Sequence, residues 1–144
     1  MAARGKHILI ADDYPDAIDI WAIYLRAFGY QVSTAADGAA ALAQAEQLRP
    51  DVIVLDLEMP GISGFEAARR LRRHPSTHDI PLIAATGYSH DRQLSLARDA
   101  GFDRVMVKPI DPESLVGEIE QLLEGYVGVR QPSHLAMRRA QHNG

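Results

Sequence analysis

Four short apolar runs along the chain each stop at a polar or charged residue. His7-Ile8-Leu9-Ile10-Ala11 runs into Asp12-Asp13, and Val52-Ile53-Val54-Leu55 runs into Asp56. Leu82-Ile83-Ala84-Ala85 ends at Thr86, and Val105-Met106-Val107 ends at Lys108-Pro109. Continuous apolar runs of this length predict strands covered on both faces, as in a parallel sheet. The segment from Tyr30 to Ala35 alternates and predicts a further strand. Helical spacing fills the gaps. Ala17, Ile20, Trp21, Tyr24, Leu25 and Phe28 recur at helical intervals, with Pro15 in the first turn and Gly29 at the C-terminal cap. Ala39 to Leu48 is alanine-rich and helical, and Pro50 ends it before the strand Asp51 to Leu55. Phe65 to Arg73, Ser89 to Ala100 closed by Gly101, and Glu113 to Glu124 complete the helices, the last opened by Asp111 as N-cap and Pro112. Leu115, Ile119, Leu122 and Leu123 give that last helix its buried stripe.

The strand-helix unit therefore repeats five times, and short right-handed crossovers make a doubly wound α/β parallel sheet the natural solution. Such sheets bind ligands outside the carboxyl ends of their strands. Here those ends carry Asp12, Asp13, Asp56, Thr86 and Lys108. Three carboxylates gathered at one edge repel each other unless a cation joins them. The implied site is thus three carboxylates, a metal, a hydroxyl and an amine, beside the Pro- and Gly-containing loop from Glu58 to Gly64.

Composition narrows the class. The 144 residues suit one domain, with 47% hydrophobic and 24% charged positions and no cysteine, which removes disulfide and thiolate chemistry. The net charge of -4 is uneven: Arg130, Arg138 and Arg139 give residues 125–144 a balance of +3, leaving -7 on residues 1–124. An acidic body argues against nucleic-acid binding. The basic tail, 125–144, is expected to be flexible or to form a short helix from Ser133 to Gln141. The first apolar run is too short for a signal peptide or a membrane span, so a cytoplasmic protein is expected. Trp21, Tyr24 and Phe28 read as core aromatics. The arginines at 69, 70, 72 and 73 read as a solvated helix face, and His74 and His78 do not make a metal site.

The motifs Ile10-Ala11-Asp12-Asp13, Leu55-Asp56-Leu57-Glu58-Met59-Pro60-Gly61-Ile62-Ser63-Gly64, Ala84-Ala85-Thr86-Gly87 and Val107-Lys108-Pro109 occur in this order at strand ends. With them, residues 6–124 resemble the receiver domain of two-component response regulators. The resemblance implies a flavodoxin-like five-stranded sheet, order 2-1-3-4-5, with a receiver domain over residues 1–124. It implies that Asp56 accepts a phosphoryl group from a histidine kinase or histidine phosphotransfer protein. Asp12 and Asp13 match the acidic pair that holds Mg²⁺, and Glu58 stands where a backbone carbonyl is usually a further ligand. Thr86 matches the switch hydroxyl and Lys108 the amine facing the phosphoryl oxygens, while Pro109 stands where a cis peptide is common. The implied output is binding to a downstream protein, as a monomer or a phosphorylation-dependent dimer, with no enzymatic activity beyond self-catalysed phosphoryl transfer and autodephosphorylation.

Two departures bear on this. Three residues before the lysine, where the family often has Tyr or Phe, stands Val105, so an aromatic rotamer toggle is impossible there. The signal must leave by backbone shifts or another side chain, with Tyr88 the nearest candidate. Glu58 and Tyr88 also occupy two places that tune dephosphorylation in the family. The alternatives are a pseudo-receiver, an interaction module not regulated by phosphorylation, and an aspartate-based phosphatase with Glu58 as second carboxylate. The first predicts loss of site residues and the second a cap insertion absent from the strand-helix pattern. The chain reads as either a stand-alone receiver or a receiver cut from a larger protein.

Overall fold

A computed structural model describes residues 5–128, with side chains to residue 125. The remaining residues, including all but the start of the tail considered above, lie outside the described range. Five strands, β1 His7–Ala11, β2 Gln31–Ala35, β3 Val52–Asp56, β4 Leu82–Thr86 and β5 Arg104–Val107, alternate with five helices. These are α1 Pro15–Ala27, α2 Gly38–Leu48, α3 Gly64–Arg73, α4 Asp91–Ala100 and α5 Pro112–Gly128. All strand pairs are parallel, in the order β2-β1-β3-β4-β5. The doubly wound parallel sheet is as the strand-helix pattern predicts, and its flavodoxin-like strand order is as the resemblance implies.

Strand alternation sorts the core into two layers. Ile8, Ile10, Val52, Val54, Ile83 and Ala85 face Ile18, Trp21 and Leu25 of α1 and Leu115, Ile119 and Leu122 of α5. Leu9, Ile53, Leu55, Leu82 and Ala84 face a layer built largely from alanine: Ala41 and Ala45 of α2, Ala67 and Ala68 of α3, Ala97 and Ala100 of α4. The α1 layer is tied to the end of the sheet by Trp21, whose Nε1 donates to the Ile110 carbonyl at 3.2 Å.

Three local expectations change. Phe28 is 46% exposed and packs on Tyr24 instead of entering the core, because it is the residue at which α1 ends and Gly29, at φ 100, turns the chain into β2. Helix α5 continues past Glu124 to Gly128. Arg72 is no solvated arginine. Its guanidinium bonds the carbonyls of Gly101, His78 and Ile80 at 2.7–3.0 Å and pairs with the buried carboxylate of Asp103 at 3.0 Å, fastening α3 to the entries of β4 and β5. Gly101, at φ 112, closes α4 where a Cβ would press on the Arg72 side chain.

Candidate active site at the carboxyl edge

The ends of β1, β3, β4 and β5 converge, and register fixes how. Ala11 pairs with Leu55, Asp56 with Ala85, and Thr86 with Val107. The residues that follow or close these strands therefore meet at one edge. Asp12, Asp13 and Asp56 each offer a carboxylate oxygen within 4.8 Å of the others. Asp12 and Asp56 are buried, at 1% and 2% exposure, while Asp13 is open to solvent. Lys108 reaches between them, its Nζ 3.0 Å from Asp12 Oδ2 and 3.4 Å from Asp56 Oδ2. The Lys108–Pro109 peptide is cis, as expected for its place.

Backbone donors hold the two buried carboxylates. Tyr14 N–H donates to Asp12 Oδ1 at 2.9 Å, and Glu58 N–H donates to Asp56 Oδ1 at 3.0 Å. Both are two-residue turns that aim the side chain back over the strand end. Burial pushes the Asp56 carboxyl up from 3.8 to about 6; the Glu58 N–H bond and Lys108 oppose this, and the charge of Asp12 adds to it. Lys108 is pulled down by burial, but its bond to Asp12 and the charges of Asp56 and Asp12 outweigh that and leave its pKa raised. One lysine against three carboxylates leaves the edge short of positive charge. Asp12 Oδ2 is met by that lysine and by no other donor among the described residues. A hard divalent cation with oxygen ligands fits this donor set.

The five residues singled out in the sequence, Asp12, Asp13, Asp56, Thr86 and Lys108, all lie at this edge. Glu58 enters in a way its sequence position did not disclose. Its carboxylate accepts from Thr86 Oγ1 at 2.6 Å, from Gly87 N–H at 3.2 Å and from Gln93 Nε2 at 3.0 Å. Gln93, on α4, carried no signal in the sequence, because one glutamine in a polar helix is unremarkable. Gly64, in the sequence only a member of the loop and its motif, has a packing role that the pattern did not disclose. A methyl there would meet the Asp56 carbonyl oxygen and lie 2.7 Å from Leu57 Cα, so a glycine lets α3 begin this close to the end of β3. Gly64→Ala is expected to lower stability by about 1–3 kcal/mol and to displace the Asp56 loop, read by urea unfolding and by the amide shifts of residues 56–58.

The family model described as the response regulator receiver domain matches residues 8–120. The master transcriptional regulator RpaA of Synechocystis is 40% identical over 116 residues, 81% of this chain and 48% of RpaA. This chain thus spans about half the length of that relative. PilH of Pseudomonas aeruginosa is 35% identical over 118 residues, covering 82% of this chain and 98% of PilH. The receiver domain of the sensor histidine kinase PA1611, also from Pseudomonas aeruginosa, was solved with a magnesium ion coordinated in its active site cleft. It superposes with a TM-score of 0.78 at 28% identity, over 83% of this chain and 98% of that one. With the strand order, the convergent acidic edge and these matches together, the chain belongs to the response regulator receiver domains, the signalling modules of two-component systems.

Proposed function

We propose that the chain is a phosphoryl-accepting switch in which Asp56 takes a phosphoryl group from the phosphohistidine of a kinase or phosphotransfer protein. The observation that carries this reading is Asp56 itself: a buried carboxylate flanked by Asp12 and within 3.4 Å of the Lys108 ammonium. In the transfer, an Asp56 carboxylate oxygen forms the bond to phosphorus as the phosphorus–nitrogen bond breaks, and the electron pair returns to the donor imidazole. The transition state is loose, so positioning and charge neutralisation account for most of the catalysis. Lys108, already poised between Asp12 and Asp56, pairs with the phosphoryl oxygens, and the Glu58 N–H keeps the carboxylate oriented. Asp12, Asp13, Asp56 and the Glu58 backbone carbonyl would hold Mg²⁺. When bound, the ion supplies the positive charge that the three carboxylates and the incoming phosphoryl group require.

Residues 1–124 form the receiver unit in this reading, and its only covalent chemistry is on its own aspartate. The output is altered binding to a downstream protein in the cytoplasm. Among the described residues no helix is long and apolar enough to cross a membrane. A pseudo-receiver gains nothing from the structure, since all five site residues converge.

Calorimetry with Mg²⁺ and then beryllofluoride, a phosphoryl mimic, tests the reading. One equivalent of beryllofluoride is expected to bind in a Mg²⁺-dependent manner, and Asp13→Asn is expected to weaken Mg²⁺ by about tenfold or more, since it removes ligand charge. Mg²⁺ affinity unchanged in Asp13→Asn would move the metal away from this edge.

A further inference from the structure

Thr86 has one hydroxyl proton, and it is directed at Glu58. Thr86 Oγ1 lies 2.6 Å from Glu58 Oε2, and an ionised carboxylate can only accept, so that proton is not available toward Asp56. The oxygen's accepting capacity is used as well. Tyr88 N–H donates to it at 3.1 Å and Gln93 Nε2 approaches at 3.4 Å. Gln93 Nε2 also donates to Glu58 Oε2 at 3.0 Å, and Gly87 N–H to Glu58 Oε1 at 3.2 Å. Three elements thus meet on one carboxylate: the loop after β3 through Glu58, the end of β4 through Thr86, and the first turn of α4 through Gln93.

We propose that Glu58 and Gln93 form a clamp on the Thr86 hydroxyl in the unphosphorylated state, and that its release carries the signal into the first turn of α4. The inference rests on the receiver reading above. A phosphoryl group on Asp56 brings about two negative charges and new acceptor oxygens. Glu58 is tied to that aspartate through its own backbone N–H, so its carboxylate and the phosphoryl group share a neighbourhood. When Thr86 turns its proton to the phosphoryl group, Glu58 loses its shortest hydrogen bond. Tyr88 N–H loses its acceptor, and Gln93 loses its contact with Thr86 and keeps only Glu58, itself freed from the hydroxyl. The β4–α4 loop and the start of α4 are then released together. Val105 offers no aromatic ring to carry the change, whereas Gln93 links Thr86 to a helix by hydrogen bonds already present. Gln93 is a positioning residue in this scheme, acting through Thr86.

The test compares two variants of the full chain, Q93E and Q93K, for beryllofluoride affinity at saturating Mg²⁺. Q93E keeps the size of the side chain but removes its donor and sets a like charge against Glu58. The clamp weakens, and beryllofluoride is expected to bind about 3- to 10-fold tighter. Q93K retains a donor to Glu58 and is expected to bind no tighter than wild type. Simple electrostatics at an anionic ligand predicts the reverse order, so Q93E binding more weakly than Q93K, or both equal to wild type, would overturn the proposal. A second measurement needs no phosphoryl mimic. In metal-free E58A, exchange of the Gly87 and Tyr88 amides is expected to accelerate by about tenfold or more, with the β4 interior unchanged; unaltered exchange would also overturn it. Failure of wild type to bind any beryllofluoride would instead sink the receiver reading, and the clamp as a signalling device with it, even where exchange still accelerates.

Discussion

Asp56→Asn is expected to abolish phosphoryl acceptance and, in the absence of metal, to make the protein more stable than wild type at pH 7. The two effects share one cause. The folded protein holds Asp56 with a pKa of about 6, raised from 3.8 chiefly by burial. A carboxyl whose folded pKa is raised favours the folded state while it is protonated. That stability is fully present below the unfolded value, falls as pH rises through the interval, and is gone above about 6. At pH 7 wild type therefore carries a buried charge that Asn does not, worth about 1–2 kcal/mol once solvent screening is discounted. Urea unfolding in a chelator should show the variant more stable at pH 7 and the gap closed below pH 3.8. A gap of equal size at both pH values would contradict this origin. Phosphoryl acceptance as proposed needs the charge that folding disfavours, and a bound cation would reconcile the two.

Arg72→Met is expected to have the largest effect on stability, about 2–4 kcal/mol, while leaving the acidic edge in place. Arg72 stands in a basic run, but its guanidinium serves the Gly101, His78 and Ile80 carbonyls and the buried carboxylate of Asp103. Asp103 Oδ2 also accepts from Leu82 N–H at 2.9 Å, so this pair sets where β4 begins. Removing the guanidinium strips acceptors in two segments at once, 78–80 and 101–103, and removes the positive charge 3.0 Å from Asp103. Arg69 is 45% exposed and pairs with exposed Glu66 at 3.9 Å, so Arg69→Met should change stability by less than about 0.5 kcal/mol. Urea midpoints of the two variants decide the matter; equal midpoints would mean that the Arg72 network contributes nothing net.

The strands and the acidic edge were legible because each rests on a local signal, whereas the strand order came from the resemblance to the receiver family. Four apolar runs name four strands, and the residue closing each run faces the carboxyl edge wherever the sheet is parallel. The same logic brings Asp12, Asp13, Asp56, Thr86 and Lys108 to one place. Partners chosen across the fold were not legible. Arg72 differs from Arg69, Arg70 and Arg73 only in pointing toward the β4–β5 segment, and helical spacing alone does not say what lies beyond the helix. Glu58 was assigned through its backbone, whereas its side chain is placed by Thr86 and Gln93, 28 and 35 residues away. Phe28 fits the helical stripe in sequence, but the helix ends there and the ring lies outside the core.

Intact mass after incubation with acetyl phosphate, with and without Mg²⁺, is the most direct test of the central claim. A Mg²⁺-dependent gain of one phosphoryl group, labile to hydroxylamine and absent from Asp56→Asn, is the predicted result. A gain that persists in Asp56→Asn would contradict Asp56 as the acceptor. No gain in folded wild type, together with no binding of beryllofluoride, would contradict phosphoryl acceptance altogether.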